Sequence, residues 1–489
     1  MRLSRRAVLA CAASSLASAA FANAPATSLR PIARTQPADV VAKLVADAGL
    51  TGQVGVAVVD LETGEMLESI EAQISQPPAS VTKAFTALYA LESLGQNFTY
   101  ETGIYANGPI NGGILDGDLI LAGGGDPSLA TDDLATLAQS LKETGLIEVK
   151  GDFLVWDEAL SNVDEIDTDQ LDYLGYNPTI TGLNLNYNRV HFEWKREDDD
   201  FAIVMDARST KYRPAVTVSR MELVDRPSPV FTYRDVGDVD QWTVARRSLN
   251  NEGSRWLPVR HPALYAGEVF ATFARSHGIV LKAPKETAIR PAGRPFATFR
   301  SAELNEMMRG MLRYSTNLTA EASGMMATTR REGAPTAMRP SARAMGSWLG
   351  QRCDGIAPAF VDHSGLGDRS RVSPLDTVKM LASSNVREIL EPIMRQIRLV
   401  GDDQQIISRD GMGVRAKTGT LNFVCTLAGY VRTEKGRKLA FAIFASDLDK
   451  REAGKLEGAE RPRGARTWNR RARRLQQDIL KHLALRLPA

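Results

Sequence analysis

An interruption limits how this chain can fold more than any other feature of its sequence. Up to residue 99, and again from residue 296, apolar residues recur at helical spacing or in long strand-like runs. Between them, residues 100–295 carry short apolar runs broken by Gly, Asn, Asp and Pro. A chain of 489 residues is too long for one hydrophobic core. The change in texture shows where it divides: residues 25–99 and 296–489 read as one domain, and 100–295 as an inserted β-rich region of two small parts.

The flanking segments share an α/β texture. In "PADVVAKLVADAGL" (37–50), Val40, Val41, Leu44 and Val45 fall on one helical face. "GQVGVAVVDLETGEML" (52–67) reads as two strands around Glu62-Thr63-Gly64. A helix follows, opening at Ser80 behind Pro77 and Pro78 and ending at Gly95. After the insertion, residues 302–331 form two helical segments around Tyr314-Ser315-Thr316-Asn317. "GVRAKTGTLNFVCTLAGYVRT" and "KLAFAIFASD" are strands joined at Glu434-Lys435-Gly436, and Trp468, Ala472, Leu475, Ile479 and Leu483 mark a closing helix. This order predicts an α/β sandwich whose sheet takes strands from both ends of the chain.

The first 24 residues stand apart. "MRLSRR" is basic, the next run is apolar and small, and Ala22-Asn23-Ala24 fits a cleavage site, as in a secretory signal of the Sec or twin-arginine type. The apolar run before Cys11 is too short for a lipoprotein signal. Losing Arg2, Arg5 and Arg6 takes the formal charge from +2 to −1, which leaves a nucleic-acid partner without electrostatic support. Cys353 and Cys425 then remain, either bonded or as two buried thiols. The five histidines, His191, His261, His277, His363 and His482, show no metal-ligand spacing. The Gly-rich turn in "GDLILAGGGDPSL" lacks the residues of a phosphate cradle. No metal and no cofactor are expected, and any nucleophile needs a base other than histidine.

Ser80 and Lys83 supply such a pair. At i and i+3 they share a helical face, and a serine needs a base within hydrogen-bond reach. At a helix start, the free N–H groups also favour negative charge, so the Ser80 N–H suits half of an oxyanion hole. Alone the signal is weak, since a chain of this length holds about one Ser-x-x-Lys by chance. By itself, a Ser cap beside a solvated Lys is the plainer reading.

Two distant elements change that balance. Lys417-Thr418-Gly419-Thr420 lies on a strand, and a Lys-Thr-Gly is scarce, on the order of 0.1 per such chain. Gly419 allows close backbone approach. Lys417 and Thr418 suit a substrate carboxylate, and the Thr420 N–H suits the other half of the oxyanion hole. Ser-x-Asn occurs at Ser248/Asn250, Ser315/Asn317 and Ser383/Asn385. Only Ser315/Asn317 sits in a short loop between two amphipathic helices; the others read as turn or cap residues.

Ser-x-x-Lys, Ser-x-Asn and Lys-Thr-Gly in this order resemble the signature set of penicillin-binding proteins and serine β-lactamases. The roughly 230 residues between Lys83 and Ser315, with "PASVTK", "AGGGDPSL", "LNLNYN", "HPALYAG", "STNLTAEA" and "AKTGTL", resemble the class C low-molecular-mass penicillin-binding proteins, a D-alanyl-D-alanine carboxypeptidase/endopeptidase family. One loop departs from the family pattern: in "DHSGLGDRSRVSP", His363 and Gly367 replace the expected residues. The resemblance implies a serine β-lactamase/transpeptidase-like α/β sandwich interrupted by an insertion of two β-rich domains, and a periplasmic address.

It also implies acyl transfer on peptidoglycan stem peptides and cross-links. Ser80 is then the nucleophile and Lys83 its base. Ser315 relays the proton, Asn317 orients, and Lys417 holds the carboxylate and depresses the Lys83 pKa, with Thr418, Gly419 and Thr420 along the substrate. β-Lactams would acylate Ser80. Two rivals stand beside this reading. A β-lactamase or esterase with the same site would turn over nitrocefin rapidly. A catalytically silent wall-binding protein would function without Ser80. Arg470, Arg471, Arg473 and Arg474 on the last helix read as a solvated basic face, with peripheral contact to anionic lipid or wall polymer as the alternative. A homodimer is left open.

Overall fold

The structure, a computed structural model, describes residues 37–353, 355–401 and 405–485. The expected signal and Cys11 lie outside the described residues. A six-stranded antiparallel sheet forms the centre. Its order is Arg395–Gln396, Gly413–Leu421, Val424–Arg432, Lys438–Ser446, Gln53–Asp60, Met66–Ile70. The N-terminal strand Gln53–Asp60 pairs with Lys438–Ser446 from Gln53↔Ser446 to Asp60↔Leu439, so both ends of the chain meet in one sheet.

Alternation along these strands decides what lies on each face. Val56, Val58, Leu427, Val431, Phe441 and Ile443 face the helices Pro37–Asp47 and Ala465–Leu485. Ala57, Val59, Ala428, Ala440, Ala442 and Phe444 face the opposite layer, where Thr82–Leu94, Leu304–Tyr314, Asn317–Glu332, Met338–Arg352 and Pro374–Ala382 pack. Burying each large apolar side chain in these layers contributes ~1.5–3 kcal/mol. Trp468, Ala472, Leu475, Ile479 and Leu483 are all buried, as the helical spacing predicts. Cys353 belongs to one core and Cys425 to the other, and both are free thiols.

The segment between Leu94 and Leu304 builds a second body. A five-stranded sheet runs in the order Pro284–Glu286, Phe153–Trp156, Asp118–Gly123, Glu101–Asn107, Ala297–Arg300. Two three-stranded sheets, Asp200–Asp206/Arg189–Glu197/Glu252–Pro258 and Ser219–Val224/Asp240–Ala245/Phe231–Asp235, share a common apolar core with it. Two helices not legible in the strand texture, Thr131–Glu143 and Pro262–Ser276, pack into that core through Leu134, Leu137, Leu141, Val269 and Phe270.

Candidate active site

Three segments bring their polar groups together at the edge of the central sheet. The first is the expected helix, with one local difference. Ala79–Val81 forms a 3-10 turn, and the α-helix begins at Thr82 with Val81 in the cap position. Ser80 is therefore not the cap; it stands one turn ahead of Lys83 on a tight corner. Ala79 has φ 47°, a left-handed conformation unusual for alanine. Its surroundings enforce it. Gly365 (φ 70°) lies so close that a Cβ there would meet the Ala79 carbonyl oxygen at 1.8 Å. The Thr426 hydroxyl donates to the Pro78 carbonyl at 2.7 Å.

Residues Thr82 to Leu91 are all buried, so Lys83 enters the interior and its polar end must find partners there. It finds three: Ser80 Oγ at 3.1 Å, Asn317 Oδ1 at 2.8 Å and the Ser364 carbonyl at 2.7 Å. A neutral Lys83 satisfies the same geometry. Two N–H groups donate to Asn317 and Ser364, and the lone pair accepts from the Ser80 hydroxyl.

Burial pushes the Lys83 pKa down to about 8, opposed by the nearby carboxyls of Glu321 and Asp362. Both acids are themselves pushed up by burial. Glu321 accepts from the His363 and Ser364 N–H groups at 2.9 and 2.8 Å, and Asp362 accepts from those of Gly365 and Gly367 at 2.8 Å each. Of the two causes expected to lower Lys83, burial and a second cation, burial is the larger. Lys417 is lowered well below the usual range by burial first, then by repulsion from Lys83 and Arg395.

Ser315 and Asn317 come from the second segment. Ser315 caps Leu304–Tyr314 in a left-handed conformation (φ 61°), and Asn317 opens the next helix. That corner turns both side chains inward. Asn317 accepts from Lys83, and Ser315 Oγ accepts from Lys417 Nζ at 3.0 Å. The third segment is the strand Gly413–Leu421. Its outer neighbour pairs only with Arg415 and Ala416, leaving the strand edge open from Lys417 onward. Gly419 is required by space: a Cβ would fall 2.1 Å from Thr426 Oγ1 and 2.8 Å from the Pro78 carbonyl. The other Ser-x-Asn triplets lie elsewhere, in the inserted body and at the end of Pro374–Ala382.

These groups open into a cleft of about 680 Å³, lined by Ser80, Ser315, Asn317 and Thr420 among others. Thr418 is exposed on its strand and is not among the lining residues. The opposite wall comes from the insertion and was not legible in the sequence. Asp169, Leu171 and Tyr176 line the cleft, and the Tyr176 carbonyl accepts from Asn317 Nδ2 at 2.8 Å. Leu160, Val163, Ile166 and Ile180 dock this segment onto Leu318, Ala322 and Met325. Lys455 bridges Asp169 (3.1 Å) and Asp368 (2.7 Å), and Arg451 also holds Asp368 (2.6 Å).

The His363 departure proves to be a packing change. Its backbone serves the site, but its ring turns away into the core. There Nε2 meets Ser341 Oγ at 2.8 Å, and burial pushes the pKa down to about 3. The ring fits because residue 324 is glycine; a Cβ there would lie 2.3 Å from ring atoms. Gly324→Ala should therefore cost about 1–3 kcal/mol by overpacking. That penalty should largely vanish when His363→Gly is added. Denaturant melts of the four proteins measure the coupling, and additive effects would contradict it.

Known proteins share this sequence and fold. The chain is 26% identical over 384 residues to D-alanyl-D-alanine carboxypeptidase DacB of Haemophilus influenzae, covering 75% of this chain and 79% of the relative. It is 26% identical over 441 residues to the D-alanyl-D-alanine carboxypeptidase of an Actinomadura species, covering 82% and 79%. The crystal structure of penicillin binding protein 4 (dacB) from Haemophilus influenzae has the same fold. Its TM-score is 0.70 at 22% identity, covering 90% of this chain and 99% of that one. The sequence model described as the D-Ala-D-Ala carboxypeptidase 3 (S13) family matches residues 38–460, and the chain belongs to that family.

Proposed function

We propose that this enzyme is a serine-type D-alanyl-D-alanine carboxypeptidase and DD-endopeptidase that works through an ester on Ser80. The observation that carries the reading is the fully buried Lys83, 3.1 Å from Ser80 Oγ and held by Asn317. Neutral Lys83 takes the Ser80 proton as Oγ attacks the carbonyl of the penultimate D-alanine. The N–H groups of Ser80 and Thr420 receive the developing oxyanion. Ser315 passes a proton to the leaving amine as the peptide C–N bond breaks, and water then cleaves the ester.

Lys417, with Thr418 beside it, takes the terminal carboxylate. A carboxylate within reach raises the Lys417 pKa and favours its cation. When the leaving group is D-alanine the reaction is that of a carboxypeptidase; when it is the amine of a cross-link, that of an endopeptidase. A β-lactam enters the same path and stops at the ester. The signal-like residues 1–24 support export to the periplasm. No helix among the described residues is long and apolar enough to cross a membrane.

Purified peptidoglycan digested with the mature protein should release D-alanine and separate cross-linked stem peptides, as read by mass. Labelled penicillin should appear on the Ser80 peptide. Folded protein that gives neither product nor label would overturn the reading.

A further inference from the structure

The cations around the cleft fall into two groups. Arg451 and Lys455 are neutralised by Asp368 and Asp169, and Arg255 pairs with Glu460 at 3.4 Å. Arg461, Arg466, Arg470, Arg471, Arg473 and Arg474 are exposed, and none pairs with a carboxylate among the described residues. The helix Ala465–Leu485 carries one acid, Asp478, which pairs with Lys481 at 2.8 Å. Arg466, Arg470 and Arg473 follow i, i+4, i+7 spacing and share a face. Arg461, Arg466 and Arg473 line the same cleft as Ser80.

This helix is a poor candidate for lying on a membrane. Such helices need a free apolar face, and here Trp468, Ala472, Leu475, Ile479 and Leu483 are buried against the sheet. What remains is an unneutralised cationic rim continuous with the cleft. It fits a ligand that enters the cleft while carrying several carboxylates.

We propose that this rim binds the carboxylates of polymeric peptidoglycan, engaging stem peptides next to the one being cleaved. The inference rests on the proposed function and adds a preference for polymer over short peptides. Several weak carboxylate contacts on one strand multiply through effective concentration. Attraction to a concentrated patch raises association and weakens with salt.

The test is a protein carrying Arg461→Gln, Arg466→Gln and Arg473→Gln. In a Ser80→Ala background, so that retention does not depend on turnover, unaltered arginines should sediment with insoluble peptidoglycan at low salt. The triple variant should be retained about tenfold less and should lose the salt dependence. With Ser80 intact, the triple variant should still carry penicillin label on the Ser80 peptide and keep the parent's melting temperature, which shows that the site is assembled. Lysine at the three positions should restore retention, since charge is what binds. Equal sedimentation of parent and Gln variant would overturn the proposal. So would unchanged sedimentation with lost binding to phosphatidylglycerol vesicles, which would assign the rim to a membrane. Failure of the proposed function appears separately, as a wild-type protein that penicillin does not label.

Discussion

Ser80→Ala protein should fold like the parent and take up no penicillin, with D-alanine release down by a factor on the order of 10⁴ or more. Two structural facts make this a clean loss. Ser80 is only half-buried on a 3-10 turn, and among the described residues its side chain hydrogen-bonds only to Lys83. Removing one hydroxyl therefore leaves the corner to its other holders, Gly365 packing and the Thr426–Pro78 bond. Lys83 keeps Asn317 and Ser364. Melting temperature and circular dichroism check the fold, and labelled penicillin with mass analysis checks the ester. Label on another residue, or cleavage near the parental rate, would remove Ser80 from the nucleophile's place.

The parts of the site legible in sequence are those fixed by local rules. A helix places i and i+3 on one face, so Ser80 and Lys83 meet wherever the helix ends up. A glycine after Lys-Thr marks a strand that something must approach closely, and here it is the Thr426 hydroxyl, the Pro78 carbonyl and the Ala79 methyl. Ser315 and Asn317 could be chosen over two similar triplets because a short corner between helices must turn polar groups inward. The sheet joining both chain ends followed from matching α/β texture on either side of the interruption. What sequence hid depends on distant contacts. Glu321 looks like any acid in a small-residue helix until the fold places it beside Lys83. The Ala79 conformation is imposed from Gly365. The helix Thr131–Glu143 did have a signal, Leu134, Leu137, Ala138 and Leu141 at helical spacing behind Asp133, which bonds the Ala130 N–H at 2.8 Å. Its neighbouring strand-like runs masked it.

The second large effect concerns the base. With a Lys83 pKa of about 8, only its deprotonated fraction can take the Ser80 proton. The second-order rate of penicillin acylation should fall tenfold per pH unit below about 8 and level off above it. The direction follows from the sign of the shift: burial disfavours the cation, so the active base form gains as pH rises toward the pKa. Lys83→Met keeps the length and apolar stem of the side chain while removing the nitrogen. It should reduce acylation by about 10²–10⁴ and abolish the break near pH 8. The variant should still fold, because Glu321 and Asp362, already pushed toward their neutral forms, can take up protons once their cation is gone. A Lys83→Met protein that retains the break would assign it to another group and take Lys83 out of the base's role.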